Sequence, residues 1–397
     1  MNLENTSLSE KIKNRLIETG YQKLTDIQLK VIPLILEKKD VVAQSRTGTG
    51  KTAAFLIPIL DADFWKQKKH SQPQVLILEP TRELALQVSK EAQKLAPVSS
   101  NLKVLTVYGQ SSLYLQTQSL KKGVDIVVGT MGRVKDHLEK QKSFQIKDLK
   151  VLILDEVDEM LNESFEKDVR ETIIKNIPST CQILLFSATV SPEVKNFAQR
   201  FLKNPLFVVS QPEQVQVNNI QQYYLKVDSN KDKKRILVDL IESLNQDRRS
   251  TLTLVFINTI HQVRKVTEFL RDQKNLRQKG LVIDLLHGGR KMHQRKREKI
   301  LEKFRKKQIS LLVATDVAGR GIHVDDIDYV INYEIPQNPA FYTHRIGRTG
   351  RAGSKGVAIT LVSGVEVKEL LKIARRQGLK VSDYELTSQK NEDYSKQ

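Results

Sequence analysis

Short apolar runs recur along the chain, and nearly every one ends in a polar cluster. In the first half the runs fall at 41–43, 75–78, 104–107, 125–128, 151–154 and 183–186, separated by segments of helical or loop character. Runs this short and this apolar read as strands buried on both faces, and their alternation with helices predicts a parallel sheet covered on both sides. The clusters behind them are Pro80-Thr-Arg-Glu-Leu-Ala85, Tyr108-Gly-Gln110, Gly129-Thr-Met-Gly-Arg133, Asp155-Glu-Val-Asp158 and Ser187-Ala-Thr189. All then lie at the carboxyl ends of strands, the edge where open α/β sheets carry ligands. A second series at 253–257, 281–286, 309–313, 329–331 and 357–361 also ends in polar clusters, so the architecture is predicted to occur twice.

Leu8, Ile12, Leu16 and Ile17, with Ser9 and Glu10 at the start and Gly20 at the end, predict an amphipathic helix over 8–20. Ile300, Leu301 and Phe304 give the basic stretch 291–307 one apolar face, and 365–376 also reads as a helix. The polar stretch 210–216 contains Pro212, lacks helical periodicity and marks a linker. The expected organisation is a first domain over 1–210, a linker over 211–216, a second domain over 217–376 and a short polar tail over 377–397. A length of 397 residues exceeds the usual single core and agrees with two domains.

Composition narrows the partner. Lys and Arg number 65 against 46 Asp and Glu, and the net charge of +19 is spread along the chain, which favours a polyanion without separating RNA from DNA. Cys181 is the single cysteine, so a disulfide framework and a cysteine metal cluster are both excluded. No basic region followed by an apolar core opens the chain, and no apolar run approaches the length of a membrane span. These features predict a soluble intracellular protein with no membrane partner, cytoplasmic by default, with nucleus and nucleolus left open.

The candidate chemistry centres on Ser45-Arg-Thr-Gly-Thr-Gly-Lys-Thr52, which follows one apolar run and precedes a helix-compatible one. In such a strand–turn–helix, Gly48 and Gly50 let backbone N–H groups approach a triphosphate, and the helix N-terminus adds its positive dipole end. Lys51 then reaches the β and γ phosphates and Thr52 holds Mg²⁺, while Ser45 stands where the common pattern has Gly. Asp155 and Glu156 follow a buried strand, where an Asp can hold Mg²⁺ through water and its neighbour can polarise the attacking water. His344-Arg-Ile-Gly-Arg-Thr-Gly-Arg351 places three arginines in the half without a phosphate loop. Permanently charged and fork-shaped, they suit a developing phosphoryl charge or direct contact with nucleic-acid phosphates.

Taken in order, these motifs resemble those of the DEAD-box RNA helicases of superfamily 2, from about Leu8 to about Arg376. The resemblance implies two tandem RecA-like α/β domains, each a mainly parallel sheet with helices on both faces. It implies an RNA-stimulated ATPase that uses ATP and Mg²⁺ to separate short RNA duplexes locally. Thr25 and Gln28 become an adenine-sensing pair, and Ser45, Arg46, Thr47, Gly48, Thr49, Gly50, Lys51 and Thr52 the phosphate loop, with Gly321 a further nucleotide contact. Thr52 and Asp155 hold Mg²⁺, partly through water. Hydrolysis falls to Lys51, Asp155, Glu156, Arg348 and Arg351, the two arginines acting as fingers across an interdomain cleft. Ser187 and Thr189 link hydrolysis to strand separation through Asp158 and His344. RNA-backbone roles carry over to Pro80, Thr81, Arg82, Gly109, Thr130 and Arg133 in the first domain, and to Gln294, Arg297 and Thr315 in the second. The resemblance further implies a monomer that reads little RNA sequence and admits protein cofactors.

Several positions depart from the family pattern. Val157 replaces the Ala of the box, Met131 a Pro, Gln110 the second Gly of a pair, and Ser164 a Gly. Leu24 and Asp26 replace prolines beside Thr25, Leu3 takes the place of an aromatic that stacks on adenine, and His323 that of an Asp on ribose. The turn between His287 and Gln294 is longer than usual. These changes bear on RNA-loop geometry and base selectivity and leave the triphosphate chemistry intact. A nucleotide-gated RNA clamp and a DNA-dependent translocase of the same superfamily are the competing readings.

Overall fold

Val, Ile and Leu fill the apolar runs, and their branched side chains suit a pleated surface packed on both faces. The computed structural model describes residues 3, 6–45, 50–67, 72–210, 220–228, 232–245, 251–288, 292, 294–316, 327–337, 339–350 and 356–384. It divides into two units, Met1–Pro212 and Glu213–Gln397. The expected linker at 211–216 lies outside the described residues.

In the first unit the strands are β1 (Val41–Gln44), β2 (Val75–Leu78), β3 (Val104–Val107), β4 (Ile126–Gly129), β5 (Val151–Leu154), β6 (Gln182–Ser187) and β7 (Leu206–Val209). They form one sheet in the order β3-β4-β2-β5-β6-β1-β7, with every pairing parallel. Strand alternation divides the core. Val75, Ile77, Val151 and Ile153 face the cluster shared with the helices Asp26–Leu36, Lys51–Leu60 and Arg82–Leu95, whereas Leu76, Leu78, Leu152 and Leu154 face the cluster that holds Val194 and Phe197. The edge strand β7, which leaves Leu206, Phe207 and Val209 exposed, was not among the expected strands.

The opening helix runs Glu10–Glu18, with Ser9 capping it through a hydrogen bond from Ile12 N–H. Leu8, Ile12 and Leu16 are buried as expected, but Ile17 is 60% exposed. The i, i+4 stripe 8–12–16 turns inward, and the next residue is rotated about 100° away from it. Leu3 is buried in the first core cluster, so this apolar side chain serves packing.

The second unit contains β8 (Ile220–Lys226), β9 (Thr253–Phe256), β10 (Ile283–Leu286), β11 (Leu311–Ala314), β12 (Tyr329–Asn332), β13 (Gly356–Val362) and β14 (Ser382–Asp383). Its order is β10-β11-β9-β12-β13-β8-β14, again all parallel. Lowering each strand number by 7 reproduces the order of the first sheet. The tail expected over 377–397 therefore begins with structure: β14 pairs with β8, and the Tyr384 ring packs edge-on against Tyr223, with centroids 5.4 Å apart. No described helix is long and apolar enough to cross a membrane.

Phe55, on the helix Lys51–Leu60, meets Phe186 of β6 edge to face, with ring centroids 5.0 Å apart. Both rings are fully buried. Phe186→Ala is expected to lower the stability of the first unit by about 3–5 kcal/mol in denaturant unfolding.

Candidate functional site

β1 leads into Ser45, whose backbone N–H donates to Ser187 O at 2.9 Å. Residues 46–49, and with them Arg46, Thr47, Gly48 and Thr49, lie outside the described residues. The chain is described again at Gly50, in the left-handed region with φ +89°, immediately before the helix Lys51–Leu60. Gln28, 1% exposed, accepts from Thr25 N–H at 2.9 Å and donates from Nε2 to Gly50 O at 3.1 Å. A Cβ on Gly50 would sit 2.4 Å from that Nε2, so both the dihedral and the space require glycine. One amide N–H and one carbonyl lone pair of Gln28 remain beyond these two bonds, which is the donor–acceptor set expected for an adenine edge.

Lys51 opens its helix in a buried position. Burial pulls its pKa down, but the carboxylates of Asp155, Glu156, Asp158 and Glu159 outweigh that and hold it above the ordinary lysine value. Asp155 is pushed up to about 6, by burial first and by Glu156 and Asp158 against the pull of Lys51. Glu156 adopts a left-handed conformation, φ 49°, and its N–H donates to Asp155 Oδ1 at 2.8 Å. A non-glycine residue held there is strained by roughly 1–3 kcal/mol, a feature that clusters at functional sites.

A residue absent from the sequence reading completes this group. Glu79 follows β2 as Asp155 follows β5, and burial with the neighbouring Asp155 and Glu156 raises its pKa well above the usual carboxylate range. Among the described residues, Lys51 Nζ, both Glu79 carboxylate oxygens and Glu156 Oε2 have no hydrogen-bond partner. Buried groups in that state are costly unless a ligand satisfies them. A phosphate answers the ammonium and the waters of a divalent cation answer the carboxylates, so the residues fit Mg²⁺ with a triphosphate. Among the described residues no three His, Cys, Asp or Glu side chains form a metal-ligand group, and Mg²⁺ that travels with a nucleotide needs only one or two carboxylates besides phosphate and water.

The last box residue, Asp158, accepts from Thr189 N–H at 3.0 Å and from Thr189 Oγ1 at 2.9 Å. Ser187 Oγ in turn donates to Thr189 O at 2.6 Å. The three residues expected to couple hydrolysis to strand separation within this unit are thus bonded to one another. They lie with Lys51 and Asp155 at the ends of the neighbouring strands β5, β6 and β1.

The residues expected on RNA follow the other three neighbours, β3, β4 and β2. Thr81 caps the helix Arg82–Leu95, accepting from Leu84 N–H at 3.3 Å. Pro80 precedes it, and Gly109 has open space where a side chain would be. Gln110 is in the left-handed region at φ 65° and accepts from Arg82 Nη1 at 2.6 Å. Arg133, one turn beyond Thr130, donates to Ser111 O at 3.2 Å and to Gln116 Oε1 at 2.8 Å. Buried His137 donates from Nε2 to the same Gln116 oxygen at 3.0 Å. Burial first and Arg133 second lower its pKa to about 4, so the ring is neutral at physiological pH and Nδ1 accepts from Ser143. The turn after β3 is therefore held by an arginine on each side.

In the second unit, Arg345 is committed internally: it donates to both oxygens of Asp316 at 2.5 and 2.7 Å, to Asn258 Oδ1 at 2.6 Å and to Glu334 O at 2.7 Å. Arg348 is buried and donates from Nε to His344 O at 3.2 Å, while buried Thr315 follows β11. Arg297 lies on the inner face of its helix. It is 1% exposed, because 297, 300, 301 and 304 form one inward stripe of the helix Gln294–Arg305; among the described residues the outward cations are Lys296, Lys299, Lys303 and Arg305. Gly321, His323, Arg351 and the side chain of Gln294 lie outside the described residues.

Two parallel sheets of one strand order, the first with a lysine-headed helix facing buried carboxylates, define a tandem RecA-like nucleotide-dependent protein. The DEAD/DEAH box helicase family model matches residues 25–197, and that of the helicase conserved C-terminal domain matches residues 232–353. The chain belongs to the DEAD-box family of ATP-dependent RNA helicases. It is 41% identical over 368 residues to the DEAD-box ATP-dependent RNA helicase CshA of Geobacillus kaustophilus, an alignment covering 93% of this chain and 75% of that protein. It is 42% identical to the ATP-dependent RNA helicase CshA of Listeria monocytogenes, covering 91% of this chain and 66% of that protein. The solved structure of S. cerevisiae Dbp5 bound to RNA and ADP BeF3 matches with a TM-score of 0.81 at 26% identity, covering 97% of this chain and 96% of that one.

Gly50→Ala is expected to lower the melting temperature of the first unit and to weaken nucleotide binding at least tenfold. Its Cβ must displace Gln28 and its backbone must leave the left-handed region, a destabilisation of more than about 1 kcal/mol. Thermal melting and nucleotide titration check the two effects.

Proposed function

We propose that this chain couples ATP binding and hydrolysis to the local separation of short RNA duplexes, gripping one strand by its backbone. The observation that carries the reading is the division of one sheet edge. Lys51 Nζ and Glu156 Oε2, buried and without hydrogen-bond partners among the described residues, stand with Asp155 along this edge, and an arginine-bearing surface stands at the neighbouring strand ends.

In this reading Lys51 binds the terminal phosphates, Thr52 and Asp155 hold the cation, and Gln28 with Thr25 orients the base. The bound Mg²⁺–ATP supplies the cleavable phosphoanhydride and charge neutralisation. Glu156 orients the attacking water and draws its proton, while Arg348 and Arg351 stabilise charge developing on the transferred phosphoryl group. Asp158, bonded to Thr189, passes the state of the box to the Ser-Ala-Thr segment, and His344 receives it in the second unit. Pro80, Thr81, Arg82, Gly109, Thr130 and Arg133, with Gln294 and Thr315, track the phosphates of one strand. Arg297 supports that surface from beneath, consistent with its burial. The active species is a monomer open to protein cofactors.

A second reading, a nucleotide-gated clamp that holds RNA with little unwinding, draws on the turn at Gln110, which ties Arg82 down where the family has a glycine. Steady-state ATP hydrolysis without nucleic acid, with single-stranded RNA, with duplex RNA and with matching DNA, at one fixed salt concentration, tests the proposal. RNA is expected to stimulate turnover and DNA is not. Lys51→Ala and Glu156→Gln should each lower the stimulated rate by about 10²-fold or more. Stimulation that survives either substitution would sink the reading, and equal stimulation by DNA would turn it toward the translocase.

A further inference from the structure

Glu79 has no role in the mechanism above. Strand geometry fixes where its side chain goes. β2 and β5 run in register from Val75 opposite Val151 to Leu78 opposite Leu154, so the next residues, Glu79 and Asp155, stand level. Asp155 N–H donates to Leu78 O at 3.1 Å, and Glu79 N–H to Gly129 O at 2.9 Å, which holds both backbones in place. By alternation from Val75 and Ile77, Glu79 faces the core cluster that contains the helix Lys51–Leu60, and Asp155 does the same from Val151 and Ile153. Glu79 is thus aimed at the face from which Lys51 emerges.

The side chain is 1% exposed, and among the described residues neither of its oxygens has a hydrogen-bond partner. A carboxylate offers about four acceptor positions and no donor. What it lacks is a donor, and Lys51, the cation whose charge acts on it, is taken by phosphate in the nucleotide reading. Metal-bound waters are strong donors that arrive with the nucleotide. Mg²⁺ keeps several of its waters when it binds with a nucleotide, so such donors remain available to a neighbouring carboxylate.

We propose that Glu79 is an acceptor for the water shell of the divalent cation bound with the nucleotide, a third carboxylate beside Asp155 and Glu156. The inference rests on the nucleotide reading above. Its consequence is thermodynamic: a cation whose waters are held by an additional carboxylate gains affinity, so nucleotide binding by this chain depends more steeply on Mg²⁺ than two carboxylates alone would make it.

The test is calorimetric titration of a non-hydrolysable ATP analogue, in Mg²⁺ and in EDTA, for the full chain and for Glu79→Gln, Glu79→Met and Asp155→Asn. The ratio of the two affinities is expected to fall about tenfold in both Glu79 variants. Thermal melting without nucleotide should show Glu79→Met melting higher than the parent chain, because an unpartnered buried carboxyl has been replaced by an apolar side chain of similar length. An unchanged Mg²⁺ ratio in folded Glu79→Gln and Glu79→Met overturns the proposal. Asp155→Asn separates the two layers of inference: if its ratio falls and theirs does not, only the role of Glu79 fails. If the parent chain itself binds equally in Mg²⁺ and EDTA, the nucleotide–metal reading fails with it.

Discussion

Buried charge at the carboxyl edge of the first sheet is the constraint on which the rest depends. Lys51, Glu79, Asp155 and Glu156 are all buried, in a position where desolvation penalises every charged form. Such a group survives folding only if the surrounding packing leaves it nowhere else to go. The helix Lys51–Leu60 supplies that packing: Ala53, Ala54, Phe55, Leu56, Ile57, Ile59 and Leu60 are all buried, so the helix is enclosed on every side instead of riding on the surface. Its first residue is consequently fixed. The apolar sequence that looks least concerned with chemistry is what holds the ammonium among the carboxylates.

Parallel pairing extends the effect sideways. Backbone bonds link strand ends from Asp155 N–H to Leu78 O, from Glu79 N–H to Gly129 O and from Thr130 N–H to Val107 O. Three hydrogen bonds therefore connect the nucleotide half of the edge to the loops that carry Arg82 and Arg133. The strain lies along the same line, since Glu156 and Gln110 are both left-handed without being glycine. A rigid ladder between two strained turns is a physical basis for each half sensing the other, and the Asp158–Thr189 bonds give the box a second outlet on β6.

How much of this was legible depended on the kind of signal. Buried strands announce themselves by unbroken apolar runs, as β2 and β5 do. β7, β8 and β14 escaped because edge and near-edge strands are partly exposed: β7 shows mostly exposed positions and β14 has two polar residues. Motif residues were legible because glycine, lysine and paired acids in a fixed order are rare outside phosphate chemistry. Glu79 was not, since it heads a cluster whose pattern begins at Pro80, although an acid directly after a fully apolar run is the same signal that marked Asp155. The burial of Arg297 is the opposite case: its spacing from Ile300, Leu301 and Phe304 puts it on the inner stripe of a helix whose composition is basic throughout. Nor does composition distinguish Arg345 from Arg348, whose separation rests on Asp316, Asn258 and Glu334, contributed by distant loops.

The repeated strand order sharpens the difference between the units. Backbone topology is the same, so the contrast lies entirely in what the strand ends carry. After β2 and β5 the first sheet presents Glu79 and Asp155. The corresponding strands of the second, β9 and β12, lead to Ile257 with Asn258 and to Tyr333 with Glu334, and these support Arg345 through Asn258 Oδ1 and Glu334 O. One copy uses the edge to concentrate unsatisfied acidic groups around a lysine; the other uses it to orient a satisfied arginine beside a second one. An anionic substrate that must arrive with a cation suits the first arrangement, whereas in the second the charge of Arg345 is already met inside the fold by Asp316. The same fold can hold both because strand-end residues bear little of the packing, which belongs to the apolar runs behind them.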